Sequence, residues 1–248
     1  MRKMSETITS DRNGTMTAIK DATVFITGAN GGLGTRLVEA ALTRGALRVY
    51  AGARNPKPWA DERVVPVTVD LGDPASIEAA VKQTGDTTIL VNNAAIFPRS
   101  ELLTGPTDEL LSVIQTNLLG PIHLTRSLAA SLVAAKGALI NINSVLSWLA
   151  VGKAHSVSKA GLWMATNAFR LELAPQGVHV LGVYPGPIDT PMQPGEDRAA
   201  MANPADVANT VYDALEAGDY ELLTDQTATK VHGALAAPVT ALYPALAK

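Results

Sequence analysis

The sequence predicts an α/β domain: a doubly wound parallel sheet of about seven strands with helices on both faces. Two observations carry this expectation. Short apolar runs rich in β-branched residues alternate along the chain with longer segments of helical period. The apolar runs are also nearly continuous, as strands buried on both faces require, where a half-exposed strand would alternate with polar residues. Strand–helix alternation around one core implies crossover connections and therefore parallel neighbours.

The strand runs are TVFIT (23–27), LRVYA (47–51), VVPVTV (64–69), TILVNN (88–93), ALININ (138–143) and VHVLGVY (178–184). Helical periodicity fills 33–44, 74–84, 107–135, 155–174 and 204–217, and a short run near 220–223 reads as a closing edge strand. No repeat, linker or break in composition divides the chain, so residues 18–248 form one domain. The polar stretch 1–17 precedes the first strand and reads as a flexible extension. Glu6 and Asp11 argue against a transit peptide there, and the stretch lacks the apolar core of a secretory signal.

Composition excludes several classes of function. Of 248 residues, 47% are hydrophobic and 17% charged, enough for one sizeable core. A net charge of −3 gives no footprint for nucleic acid. There are no cysteines, and His123, His155, His179 and His232 show no metal-ligand spacing. No uninterrupted apolar run reaches the roughly 18 residues that a membrane span requires. A cytoplasmic protein without metal, nucleic acid or membrane partner is expected.

The most informative motif follows the first strand: Thr27-Gly28-Ala29-Asn30-Gly31-Gly32-Leu33-Gly34, then a helix. Glycines at this strand-to-helix turn permit a tight bend and a close backbone approach to a pyrophosphate, which the helix N-terminus then attracts. The Gly-x3-Gly-x-Gly spacing resembles the short-chain dehydrogenase/reductase family, and the likeness runs from about residue 18 to the end. Asp70 resembles the family's adenine-contacting acid, with Leu71 beside it. Asn92-Asn93-Ala94-Ala95 resembles its NNAG turn, with Ala95 in place of glycine. Asn117, Ser144 and Lys159 match the catalytic asparagine, serine and lysine. Tyr184-Pro185-Gly186-Pro187-Ile188-Asp189-Thr190 resembles the loop beside the nicotinamide.

The resemblance implies a Rossmann-type fold and a nicotinamide cofactor. The second strand ends Tyr50-Ala51-Gly52-Ala53-Arg54, with no acid to meet a ribose 2′-hydroxyl. Arg54 suits a 2′-phosphate, so NADP(H) is favoured over NAD(H); Arg36 is a second, weaker candidate.

One position departs from the pattern. His155 stands four residues before Lys159, where the family carries the tyrosine that donates a proton to the substrate carbonyl. Histidine titrates near neutrality and suits a base for alcohol oxidation. As an acid it must be imidazolium, which the Lys159 cation disfavours. The imidazole is also shorter than a phenol by roughly 2 Å, so a water or a shifted helix would have to close the gap. Ser144 and His155 are eleven residues apart where the family has about thirteen, and Ser147 is a poorer serine candidate.

The leading expectation is NADP(H)-dependent hydride transfer between a small hydrophobic carbonyl and its alcohol. Phe97, Leu146, Trp148, Leu149, Tyr184 and Met192 are candidates for the pocket lining, and 191–198 for a lid. Two rival readings remain: an NADP(H)-binding protein without turnover, and a lyase or isomerase using His155 as base. Wide apolar faces on 107–135 and 155–174 suggest a homodimer or homotetramer, and the apolar C-terminal tail is expected to pack on the domain or a neighbour.

Overall fold

The first strand, β1 (Thr23–Thr27), is buried along its whole length. It sends Val24 and Ile26 into one apolar cluster and Phe25 into another. The first cluster gathers residues of α1 (Gly32–Thr43) and α6 (Pro204–Ala217). The second gathers α2 (Pro74–Gln83), α4 (Gly120–Ala135) and the end of α5 (Ala154–Leu173). The computed structural model describes residues 16–192 and 198–247, so most of the N-terminal extension and the centre of the expected lid lie outside the described residues.

The remaining strands are β2 (Arg48–Ala53), β3 (Val64–Thr68), β4 (Ile89–Asn92), β5 (Ala138–Ile142), β6 (His179–Tyr184) and β7 (Glu221–Leu223). They form one seven-stranded sheet in the order β3-β2-β1-β4-β5-β6-β7, and every pairing is parallel. The expected strands and the edge strand are all present. The order reverses between β1 and β4, which opens a crevice at the strands' carboxyl ends, where doubly wound sheets bind ligands.

Towards that crevice the sheet's second face changes character. Asn92 and Asn141 are register partners on β4 and β5, and Asn92 Nδ2 donates to Asn141 Oδ1 at 2.9 Å and to Thr125 Oγ1 at 3.0 Å. Asn141 Nδ2 in turn donates to Thr166 Oγ1 at 2.9 Å. This buried polar layer ties α4 and α5 to the sheet with directional bonds, and sliding either helix would leave amides unsatisfied.

Residues 107–135 are continuous helix, as expected, but not regular helix. Between α3 (Thr107–Ile114) and α4 lies one π-helical turn, Gln115–Leu119, with Asn117 buried inside it. Such bulges insert a residue and re-aim its side chain, commonly at functional sites. By length and composition the whole Thr107–Ala135 helix is apolar enough to cross a membrane. Leu124, Leu128 and Leu132 account for part of that character by packing on the sheet. The tail forms α7 (Gln226–Gly233) and α8 (Val239–Leu242) and returns to the domain, where the Tyr243 hydroxyl accepts from Ala150 N at 2.9 Å.

Candidate active site

A cleft of about 1210 Å³ opens at the switch point. At one end is the glycine loop. Gly28 has φ +68°, a left-handed conformation that a side chain would strain. Thr27 secures the turn from below: its Oγ1 accepts from Asn93 N at 3.0 Å and from Ala94 N at 3.1 Å. Helix α1 has no side-chain cap and no acidic residue in its first turn, while Gly32, Leu33 and Gly34 line the cleft. Its free N–H groups and positive dipole end therefore fit an anionic pyrophosphate.

Of the residues expected to hold the cofactor, Gly28, Asn30, Gly31, Gly32, Leu33, Gly34, Arg54, Asp70, Leu71, Asn93, Ala94, Ala95, Lys159, Pro185, Gly186, Ile188 and Thr190 line this cleft. Arg36 does not. It pairs with Glu39 at 2.7 Å, one turn along α1, because the helix points it away from the loop. Asn30 does more than line the wall. Its Nδ2 donates to Asn55 O at 2.6 Å and its Oδ1 accepts from Lys57 N at 3.3 Å, clamping the segment that carries Arg54.

Ser144, His155 and Lys159 also line the cleft. Ser144 lies two residues beyond β5 and caps the following turn, its Oγ accepting from Leu146 N at 3.1 Å and donating to Pro185 O at 3.4 Å. The shortened connection to His155 consists of two 3₁₀ turns, Val145–Ser147 and Ala150–Gly152. Lys153 then starts α5 at φ +55°, a strained conformation. Its ammonium is anchored to Glu101 and to Arg99 O. Lys159 follows His155 by one helical turn, is buried, and donates to Ile142 O at 2.6 Å.

Asn117 does not line the cleft. It lies beneath it, fully buried, and grips Ile96 at both backbone atoms: Ile96 N donates to Oδ1 at 2.8 Å, and Nδ2 donates to Ile96 O at 2.9 Å. Ile96 O in turn lies 3.0 Å from His155 Nδ1. The His155 imidazole stacks on Phe97, with centroids 4.3 Å apart. Asn117 is thus a positioning residue that acts through the Ile96 backbone.

Among the apolar candidates, Phe97, Leu146 and Met192 line the cleft, whereas Trp148, Leu149 and Tyr184 do not. Trp148 and Tyr184 stack on each other at 4.6 Å, and the Tyr184 hydroxyl turns towards Glu221 Oε1 at 3.2 Å. Aromatic rings next to a pocket in sequence are here consumed by packing the Val145–Ser147 turn between β6 and α7, where Trp148 also meets His232. Sequence reading missed the Ile96 carbonyl, which leaves no side-chain signature. It also missed Asp225, whose Oδ2 accepts from Gly186 N at 2.8 Å and so braces the loop; an acid directly before a helix was the available signal.

Electrostatics at the reacting end favour neutral groups. Burial, with the Lys159 cation second, lowers the His155 imidazole to about 4, against a weaker opposing pull from the Ile96 carbonyl. Burial lowers the Lys159 ammonium to about 8. Unfolded, His155 takes its proton near its ordinary value of 6.5. Between that pH and about 4 the unfolded state therefore binds more protons, and stability falls as pH drops through the window. The full loss from this group is roughly 3 kcal/mol. Urea unfolding at pH 7 and pH 4.5 should show a shallower loss for His155→Phe than for the unsubstituted chain. Equal losses would assign the slope to other groups.

The comparisons agree with this geometry. Residues 22–200 match the short chain dehydrogenase family. Retinol dehydrogenase 5 of Mus musculus is 35% identical over 190 residues, which are 69% of this chain but 58% of the mouse protein, so the chain spans less than two thirds of that relative. Ketoacyl reductase HetN of a Nostoc species is 30% identical over 232 residues, covering 85% of this chain and 81% of that protein. A short chain dehydrogenase of Burkholderia cenocepacia, crystallised in complex with NADP, superimposes with a TM-score of 0.85 at 34% identity, covering 94% of this chain and 100% of that one. The chain belongs to the short-chain dehydrogenase family.

Proposed function

We propose that the protein is an NADP(H)-dependent dehydrogenase/reductase that interconverts a small hydrophobic alcohol and its carbonyl. The observation that carries this reading is the arrangement of one continuous cleft. The glycine loop and α1 N-terminus stand at one end, and Ser144, His155 and Lys159 stand with Phe97, Leu146 and Met192 at the other. The uncapped α1 N-terminus would hold the pyrophosphate, Asp70 the adenine end, and Thr190 with the 185–188 loop the nicotinamide end. The cofactor, when bound, supplies hydride exchange with the substrate carbon. The protein's own share is proton handling and orientation. Ser144 Oγ orients the substrate oxygen, and His155 Nε2 takes the alcohol proton as the carbonyl forms. Lys159, held by Ile142 O and lowered to about 8 by burial, is still mostly charged at pH 7 and favours return of that proton to solvent.

NADP(H) is favoured over NAD(H) because Arg54 lines the cleft beyond β2 and Asn30 clamps the adjoining segment. The Burkholderia relative's bound NADP supports the same choice. Arg54→Ala should weaken NADPH binding about tenfold and leave NADH binding unchanged, since a charge-assisted bond is worth about 1.5–3 kcal/mol. Nicotinamide fluorescence titration measures both, and equal effects on the two cofactors would remove Arg54 from the specificity site. The test of function is NADP(H) absorbance against a panel of small apolar alcohols, ketones and aldehydes. Turnover without absorbance change would favour the non-redox reading, and binding without turnover the sensor reading.

The oxidoreductase is proposed to be cytoplasmic and homo-oligomeric. Leu111, Leu119, Met164 and Leu171 leave exposed apolar surface on α3, α5 and the π turn, which supports pairing between copies.

A further inference from the structure

We propose that the Ile96–Phe97 dipeptide locks His155 in the Nδ1–H tautomer, so that the site selects the hydroxyl form of its substrate, which donates to Nε2, over the matching carbonyl. This rests on the function proposed above and names which member of the substrate pair the resting site recognises.

The hydrogens in the cluster can be counted one by one. The Ser158 hydroxyl donates to His155 O at 2.7 Å, so its oxygen is left as an acceptor. Asn117 Nδ2 carries two hydrogens; one goes to Ser158 Oγ at 3.1 Å and the other to Ile96 O at 2.9 Å. None remains for His155 Nδ1, and the 3.3 Å approach of those two nitrogens is therefore not a hydrogen bond. The Asn117 amide cannot be turned around, because its Oδ1 already accepts from Ile96 N at 2.8 Å.

His155 Nδ1 therefore faces a single partner, Ile96 O, at 3.0 Å. A carbonyl oxygen only accepts, so Nδ1 must hold the hydrogen. The other tautomer would set two lone pairs against each other in a buried site, which is the costly case. The Phe97 ring holds the imidazole plane from the side. Burial and Lys159 keep the ring neutral at ordinary pH. Nε2 then offers a lone pair and nothing else, and it has no partner among the described residues.

The neighbouring donors do not reverse this polarity. The Ser144 hydroxyl is drawn towards Pro185 O, and Lys159 Nζ is bound to Ile142 O. An alcohol can donate to Nε2 and still accept from Lys159 Nζ, which keeps two further hydrogens. A ketone meets the same lone pair with one of its own. The other charged side chains lining the cleft are Arg54, Asp70, Asp73, Arg99 and Glu109, and the Arg99 guanidinium lies over the Phe97 ring, 5.3 Å from its centroid.

The test uses the full chain labelled with ¹⁵N-histidine, with His155→Phe assigning the signals and cyclohexanol and cyclohexanone as probes. The expected result at pH 7 is a protonated Nδ1 and a bare Nε2. Cyclohexanol should shift the Nε2 signal at a concentration about tenfold below that required of cyclohexanone. In His155→Tyr, which replaces the lone pair with a hydroxyl donor, that preference should disappear when the two probes compete. A hydrogen on Nε2 at pH 7 overturns the proposal, as does a carbonyl probe that binds equally well, or an Nε2 signal that neither probe moves. NADPH titration of the same sample separates the two readings, since failure to bind NADPH would remove the proposed function whatever the tautomer.

Discussion

Replacing His155 with phenylalanine should lower kcat/KM by about 10²- to 10⁴-fold, the usual worth of a positioned general base. The substitution isolates the proton-handling nitrogen. Phenylalanine keeps an aromatic ring to stack on Phe97 and fills the same buried site, so the wall of the cleft persists. The pyrophosphate end is formed by other residues, Gly28 to Gly34, and NADPH affinity should stay within about twofold. Stopped-flow turnover together with cofactor titration reads both quantities. Full activity in the variant would show that His155 is not the base. Loss of both activity and binding would point to a collapsed site.

The second large effect is expected at Gly34. A Cβ there would lie 2.1 Å from Gly28 O and 2.9 Å from Asn93 Nδ2. The nearer atom is backbone and belongs to the turn itself, so no side-chain rotation relieves the clash. In an ordinary helix, Gly→Ala gains about 1 kcal/mol. Here the steric conflict outweighs that gain. Gly34→Ala should reduce NADPH affinity at least 100-fold by pushing the loop out of register with α1. Gly233→Ala is the control, because its Cβ would meet nothing within 4 Å. Circular dichroism melting should show the Gly34 variant still folded, since the two apolar clusters span the whole sheet. NADPH binding at unchanged affinity would contradict the role given to this loop.

Much of the framework is legible in the amino-acid sequence. A strand buried on both faces must be apolar throughout, so TVFIT and ALININ declare themselves by composition. The glycine loop is legible because glycine takes φ +68° at residue 28 without strain and has no Cβ to meet Ala94 there or Gly28 O at residue 34. Other residues mislead. Trp148 and Tyr184 flank site residues in sequence yet pack on each other, because Trp148 ends the Val145–Ser147 turn and its ring stacks on Tyr184 at the end of β6. Arg36 is close enough in sequence to reach the cofactor, but the turn of α1 sets it against Glu39.

The chain's own residues determined the sheet, the phosphate loop and the presence of a serine, a histidine and a lysine in family order. These follow from local rules of periodicity, backbone freedom and residue chemistry. Only the tertiary structure decided what His155 can do. Its proton is assigned by a carbonyl 59 residues away in sequence, itself held by an asparagine 38 residues from the histidine on a π-helical turn. A backbone oxygen has no letter in the sequence. The tautomer is a property of three segments meeting in a dry site, where each hydrogen has one place to go.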